Sequence, residues 1–409
     1  MNLTRRDFLI KGTALIAAIG FGGPLLYADS KNMLKPGPPA GAKDRVLVVV
    51  QLSGGNDGLN TLIPYGIGAY HDARPRLRLQ QHEVLDINGQ LGLHPSLTQL
   101  HGLYQRGKVA IVQGVGYPKP DHSHFRSMEI WHTGEPEKRI SDGWLGRYAF
   151  SSLDTANPLR AVQLGKTETR ALRHDSISLP VVSALDSYKI FTSKPPDPDR
   201  GRLNKAFLDM YNLNKQAAPL RVACSSGIEA YRSVEAIGSL RPGYAAGAPY
   251  PDTSFAKDLQ LAAQLMASGS GTRVFYTQLG PFDDHANEKA HHAAMLSTLD
   301  GGLGAFYRDL EAHGLQDQVM VMAFSEFGRR MKENGSGGTD HGTAGPVFLL
   351  GGGVSGGLYG AYPSLTKLDK GDLKAELDFR SVYYTVVENW LNGDARSAVG
   401  RLYEKLSFV

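Results

Sequence analysis

Uninterrupted apolar runs recur along the chain and predict strands that are buried on both faces. The runs occupy residues 46–52, 109–115, 274–279, 319–324 and 347–350. Segments with helical spacing of apolar residues lie between or after them, at 96–105, 255–267, 290–313 and 379–391. Fully apolar strands are typical of parallel sheets that helices cover on both faces. The pattern therefore predicts an α/β fold, with a mostly parallel central sheet flanked by helices on both faces.

Irregular segments divide the rest of the chain. Residues 29–44 are rich in Pro, Gly, Lys and Ala and predict a linker. Residues 45–409 then form one predicted α/β domain. Within that domain, residues 150–250 lack the regular alternation and are interpreted as an irregular insertion or cap. The paired glycines Gly301 and Gly302 are a candidate break in the long helical segment.

The N-terminus has the order of a targeting signal. Arg5 and Arg6 precede an apolar stretch at 13–27, which Gly and Pro interrupt, and the small residue Ala28 follows. The stretch is shorter than the roughly 20 apolar residues that a membrane span needs. Residues 1–28 therefore predict a twin-arginine signal peptide, with the twin-arginine translocase as a partner and no stable membrane span in the mature form. The expected location is periplasmic or secreted; the alternatives are an uncleaved anchor and a chance pair of arginines.

Composition narrows the classes of function. The net charge is +4 and no long Lys/Arg run occurs, so nothing predicts a nucleic-acid partner. Cys224 is the single cysteine, which excludes an internal disulfide. An exported chain of this kind must take its stability from its core.

Acidic and histidine residues lie in the loops that adjoin four predicted strands. Ligand sites of open α/β sheets lie outside the carboxyl ends of the strands, so these loops are expected to converge. Carboxylates and imidazoles without a thiolate suit hard or borderline divalent cations: zinc, calcium, magnesium or manganese. Turns, helix caps and surface ion pairs are the alternative for each cluster. The candidate metal ligands are Asp57, Asp283, His285, Glu326 and His341.

A histidine-rich segment follows the second predicted strand. Ser123 and Ser127 are candidate nucleophiles, because a serine at a helix N-terminus near a metal can be activated. His122 and His124 flank Ser123 and are candidate bases. Capping serines beside hydrogen-bonding histidines are the alternative.

Several motifs in order resemble a known family. They include Leu-Ser-Gly-Gly-Asn-Asp-Gly-Leu-Asn-Thr at 52–61, His-Ser-His-Phe at 122–125, Phe-Ser-Glu-Phe-Gly-Arg at 324–329 and Thr-Asp-His-Gly at 339–342. The chain resembles the exported family catalogued as domain of unknown function 1501, in the alkaline phosphatase and sulfatase-like superfamily. The resemblance implies a doubly wound α/β fold and a metal centre with Asp, Glu and His ligands at the five candidate positions.

The resemblance also implies an activity and a departure from it. It implies a metal-dependent hydrolase of phosphate or sulfate esters, acting on a small-molecule or glycan ester. In such a hydrolase, Arg329 is expected to hold a non-bridging oxygen through a bidentate pair. Phe327 stands where relatives carry a histidine ligand, and no sulfatase cysteine signature is present. The alternative is therefore a non-catalytic binding or assembly protein with a degraded metal centre.

Overall fold

The computed structural model describes residues 45–188, 200–212 and 218–409. The predicted signal peptide 1–28 and the linker 29–44 lie outside the described residues. The strands are β1 Val46–Leu52, β2 Leu62–Ile63, β3 Leu85–Asp86, β4 Gly92–Leu93, β5 Val109–Gly116, β6 Ala161–Leu164, β7 Val181–Val182, β8 Val274–Leu279, β9 Val319–Phe324, β10 Arg329–Glu333, β11 Thr339–His341, β12 Gly345–Gly351, β13 Gly357–Tyr359 and β14 Leu377–Asp378. The helices are α1 Gly58–Thr61, α2 Gly68–Ala73, α3 Thr98–Gln105, α4 His124–Thr133, α5 Trp144–Ser152, α6 Arg200–Asn212, α7 Ala218–Gly238, α8 Ser254–Ala267, α9 Glu288–Ala312, α10 Phe379–Thr385 and α11 Ala395–Val399.

The central sheet is mostly parallel, as the apolar runs predict. Its order is β13-β5-β12-β9-β1-β8-β6-β7, and β14 also pairs with β5. β1 runs parallel to both β8 and β9. β12 alone in this sheet runs against its neighbours β5 and β9. The start of β12 therefore lies at the edge of the sheet where the parallel strands end. The loop before β12 is thus placed beside the loops that follow the parallel strands.

Helices cover both faces of the sheet, which confirms the predicted layers. Successive side chains of a strand point to opposite faces. Val48 and Val50 of β1 accordingly pack into one core, with residues of α3, α8 and α9. Leu47 and Val49 pack into the other core, with residues of α4, α5, α10 and α11. Every residue of β1 is buried, as expected of a strand between two helical layers.

The region interpreted as an insertion contributes to the main sheet, which corrects that interpretation for part of it. β6 lies parallel to β8, with Val162 opposite Phe275, and β7 adds the edge strand. β6 has four residues and β7 has two, so their apolar runs are too short to distinguish them from a loop. The helices α6 and α7 follow them in the chain.

The long helix α9 continues through Gly301 and Gly302, where the sequence offers a break. A Cβ atom at Gly302 would lie 2.7 Å from the Phe255 ring, and one at Gly304 would lie 2.8 Å from the side chain of Gln99. These glycines therefore let α8 and α3 approach the helix closely. Among the described residues, no helix is both long and apolar enough to cross a membrane.

Candidate metal centre

Four loops meet at the carboxyl edge of the sheet. They follow β1, β8 and β9 and precede β12, and the start of α4 lies beside them. Gly54, with φ of +111°, lets the β1 loop approach the β8 loop, because a Cβ there would lie 2.7 Å from the Phe282 nitrogen. Gly54 also donates its N–H to Glu326 of the β9 loop at 2.8 Å. The glycine turn thus brings side chains distant in sequence to one place.

Three imidazoles surround one carboxylate oxygen at this edge. Asp283 Oδ1 lies 3.0 Å from His285 Nε2, 3.1 Å from His341 Nε2 and 3.3 Å from His124 Nε2. Ligand atoms of His124, Asp283 and His341 all lie within 4.8 Å of one another. The Nε2 atoms of His285 and His341 are 2.9 Å apart. Imidazole nitrogens and a carboxylate oxygen at such spacing are the donor set of a divalent cation site.

In His124 and His341, the ring nitrogen Nδ1 faces a hydrogen-bond acceptor of the protein. His124 Nδ1 donates to Glu326 Oε1 at 2.9 Å, and His341 Nδ1 donates to the His122 carbonyl at 2.7 Å. These bonds leave the Nε2 lone pairs directed at the centre in the neutral rings. His124 Nε2 is buried and makes no hydrogen bond within the described protein. The residues present therefore fit a cation, since an orphaned buried nitrogen would gain a partner.

Charges around Asp283 keep it ionised. Burial acts to raise the pKa of Asp283, but the hydrogen bond and the charge of Arg329 outweigh burial and hold the pKa well below its usual range. The hydrogen bond to Glu326 raises the pKa of His124, whereas burial lowers the pKa of His341. The Asp283 carboxylate is therefore ionised at neutral pH and can serve as an anionic ligand.

Glu326 lies behind His124 instead of among the ligand atoms. It is buried, and its Oε1 accepts from Gly54 N and His124 Nδ1, while Oε2 accepts from Ser325 at 3.1 Å. The structure thus places His124, expected as a base, at the ligand position, and Glu326, expected as a ligand, as the carboxylate that orients it. Sequence shows both residues but not which one points inward.

Asp57 has its carboxylate engaged away from the three histidines. Its Oδ2 pairs with Arg74, and its Oδ1 accepts from Leu59 N at 3.3 Å as the cap of α1. Burial acts to raise the pKa of Asp57, but Arg74 lowers it to about 2. The turn-and-cap alternative describes Asp57 better than the ligand role, because both of its oxygens have partners in the protein.

The two candidate serines differ in access. Ser127 is fully buried, donates its hydroxyl to the Glu326 carbonyl at 2.5 Å and accepts from Tyr117 at 2.9 Å. Ser123 is exposed, precedes the first turn of α4 and makes no side-chain cap bond. The hydroxyl of Ser127 is therefore closed to a substrate, and Ser123 is the accessible candidate.

Arg329 holds the loops together. Its side chain is 1% exposed and donates to Asp283, to the carbonyls of Gly54, Gly55 and Phe282, and to the carbonyl of Thr339. These bonds engage Nε, one hydrogen of Nη1 and both hydrogens of Nη2, and the guanidinium lies within the protein. The expected role of clamping a substrate oxygen does not match this geometry, because the side chain is enclosed by the loops that it joins.

Two clefts open on either side of the centre. One has a volume of about 1010 Å³ and is lined by His285 and His341, and the other has a volume of about 900 Å³ and is lined by His124 and Asp283. The Phe327 ring packs against His124 and His341, at ring-centre distances of 4.9 and 4.8 Å. A bound molecule can therefore reach the imidazoles from two directions.

The second cleft also contains residues that the sequence does not single out. Arg126, Arg139 and Arg170 line it, with Glu129 among them. They lie on α4, on the segment after it and on a short turn at Arg170–Leu172. They form no local motif, and only the spacing of Arg126 and Glu129 on one helix gives a signal in the sequence.

A family model matches most of the chain. Residues 44–372 match the model described as "Protein of unknown function (DUF1501)", so the chain belongs to that family. This confirms the family resemblance that the motifs indicate. A comparison with curated proteins found no match.

Solved structures show only a distant likeness. The lipoteichoic acid synthase LtaP from Listeria monocytogenes is 11% identical, with 93% of this chain and 77% of that chain covered and a TM-score of 0.32. A protein in the alkaline phosphatase superfamily from Vibrio parahaemolyticus is 10% identical, with coverages of 96% and 78% and a TM-score of 0.40. The C-terminal periplasmic domain of EcEptC from Escherichia coli, in complex with Zn, is 9% identical, with coverages of 81% and 77% and a TM-score of 0.32. Likeness at this level carries no statement about activity.

Proposed function

We propose that this protein is an exported, metal-dependent hydrolase of phosphate or sulfate esters. The observation that supports it most is the convergence of His124, Asp283 and His341 at the carboxyl edge of the sheet. A divalent cation held there would supply Lewis-acid chemistry to an ester oxygen. Nitrogen-rich ligation suits zinc better than calcium or magnesium. Export rests on the twin arginines of the N-terminus, which stay a sequence prediction.

The chain's own residues prepare this site for a cation and a substrate. Glu326 and the His122 carbonyl fix two imidazoles in one tautomer, and Arg329 fixes the carboxylate of Asp283. Preorganised ligands bind a metal without a further cost of ordering. Because Ser127 is enclosed, the attacking oxygen must come from Ser123 or from solvent.

A non-catalytic binding or assembly role is the second candidate, and one observation favours it. Two of the residues expected to act in catalysis, Ser127 and Arg329, donate hydrogen bonds to carbonyl groups of the protein itself. In that case the centre would still bind a cation, with no turnover. Metal content and hydrolysis must therefore be measured separately.

The test uses the full chain, stripped with a chelator and reloaded with zinc, calcium, magnesium or manganese in turn. We expect about one equivalent of metal by elemental analysis and hydrolysis of p-nitrophenyl phosphate or p-nitrophenyl sulfate. His341→Ala should lose both, because it removes one of three close ligand atoms. His101→Ala is the matched control, since that ring binds the Asp86 carbonyl away from the centre.

The outcomes separate the candidates. Metal that binds without hydrolysis of any ester in a broad screen would support the binding role. Metal that binds equally to the wild type and to His341→Ala would contradict the proposed centre.

A further inference from the structure

The second cleft is lined by three arginines that share a single carboxylate partner, Glu129. Glu129 is buried, and its Oε2 lies 3.1 Å from both Arg126 Nη1 and Arg139 Nη1. Its Oε1 lies 2.8 Å from Arg170 Nη1. One carboxylate balances one guanidinium, so two unit positive charges remain beside the cleft.

The other ionisable residues of this cleft remove only part of that surplus. Asp283 is paired with Arg329, whereas the Glu326 carboxylate accepts from His124 and Gly54 and offsets one of the two charges, so one net positive charge remains. Burial lowers the pKa of His132 to about 3, so this imidazole is neutral and neither adds nor removes charge. The excess therefore belongs to the arginines and faces the open space next to the metal centre.

Two of the arginines have N–H groups that the pairing with Glu129 does not use. Arg126 is mostly covered and also donates to the Pro136 carbonyl, as a structural residue does. The side chain of Arg139 is 75% exposed and that of Arg170 is 38% exposed, and each meets Glu129 through a single Nη1 atom. A guanidinium has five donors in a rigid fork, and the pairing with Glu129 fixes its position. Both are thus placed to bind an anionic oxygen group with two donors.

The cleft connects this anion site with the centre and has an apolar wall. His124 and Asp283 lie along the same cleft as Arg139 and Arg170. Phe125, whose side chain is 91% exposed, and Met128 line it as well. An exposed phenyl ring next to a charged site offers a contact surface to the body of a ligand.

We propose that Arg139 and Arg170 bind a second anionic group of the substrate, one that is not itself transferred. The proposal rests on the proposed function and deepens it, because the substrate class becomes an ester that carries a further carboxylate, sulfate or phosphate group. Such a ligand spans the cleft, with its ester at the histidines and its second anion at the arginines.

The test measures anion binding apart from metal binding. Sodium sulfate is titrated calorimetrically into the metal-stripped full chain at pH 8 and constant ionic strength. We expect Arg139→Gln/Arg170→Gln to weaken sulfate binding by at least about tenfold, since two charge-assisted pairs are lost. Sulfate affinity should also fall as sodium chloride is raised.

Control variants separate this site from the metal centre. Arg106→Gln removes an exposed arginine that also pairs with one carboxylate, Glu311, and should leave sulfate affinity unchanged. His341→Ala should lose zinc but keep sulfate, whereas the double arginine variant should keep zinc. If the double variant does not fold, Arg139→Gln alone gives the answer, because its side chain is largely exposed.

Two results would overturn the proposal: sulfate affinity that is equal in the wild type and the arginine variants, or equal loss in Arg106→Gln. If the protein does not bind zinc but binds sulfate through the two arginines, the proposed hydrolase would be rejected and the anion site retained. With an active enzyme, Arg139→Gln should raise KM for an ester with a second anionic group and leave KM for p-nitrophenyl phosphate unchanged.

Discussion

The carboxylate of Glu326 decides how His124 faces the centre. It is buried, accepts from His124 Nδ1 and is held in turn by Gly54 N. Glu326→Gln removes the charge and keeps the size, so His124 becomes less basic and less firmly oriented. We expect zinc affinity to fall by about 10- to 100-fold, as measured by competition with a chromogenic chelator.

The control for this variant is a partly buried carboxylate with similar bonds. Glu333 accepts backbone N–H groups of Arg76 and Leu77 and pairs with the Arg76 side chain. Glu333→Gln should leave zinc affinity unchanged. An effect of equal size in both variants would mean that Glu326 acts through general stability and not through His124.

At the residue scale, sequence predicts which loops carry the chemistry but not where each side chain points. Asp283, His285 and His341 come together as expected. Asp57 turns to Arg74, and Ser127 turns into the protein toward the Glu326 carbonyl. Those directions depend on partners many positions away in sequence, which no spacing rule contains.

At the element scale, the long apolar runs predict the core strands closely because both faces of each are buried. The bounds of β1, β8 and β9 agree with the predicted runs. The reversed direction of β12 could not be predicted, since an apolar run has no polarity. That reversal is what places His341 beside loops that follow the parallel strands.

Arg329 joins these loops, and its loss tests how far the centre depends on them. Arg329→Lys keeps the charge but cannot reach the carbonyls of Gly54, Gly55, Phe282 and Thr339 together. We expect the free energy of unfolding to fall by about 3–5 kcal/mol, because buried acceptors and Asp283 lose their partner. Urea unfolding of the full chain measures it.

The neighbouring arginine gives the matched control. Arg330 is partly exposed and pairs with Asp372 at 3.3 Å, outside the junction of the loops. Arg330→Lys should cost less than about 1 kcal/mol. An unfolding midpoint for Arg329→Lys equal to that of Arg330→Lys would show that the loops hold their positions without the guanidinium.

At the scale of the whole molecule, the buried guanidinium of Arg74 links segments that are distant in sequence. Arg74 pairs with Asp57 and donates to the carbonyls of Arg330 and Met331 of β10. Glu288, at the start of α9, accepts from Thr339 of β11 at 2.7 Å. Burial, followed by the charge of Asp57, raises the pKa of Glu288 to about 9. Folding therefore keeps this carboxyl protonated at neutral pH.

That protonated carboxyl makes stability depend on pH in a definite direction. The folded pKa of Glu288 lies above its unfolded value, so its contribution is complete below about pH 4.5 and is lost as the pH rises toward 9. Between pH 7 and 9, we expect the wild type to lose up to about 1.4 kcal/mol of unfolding free energy per pH unit relative to Glu288→Gln, which cannot ionise. Burial lowers the pKa of His94 to about 4 and that of His292 to about 3, so both are neutral throughout this window.

Urea unfolding of the metal-stripped chain at several pH values measures the slope, and Glu311→Gln, on the exposed end of the same helix, should keep the slope of the wild type. Equal slopes in the wild type and Glu288→Gln would mean that Glu288 is already ionised in the folded protein.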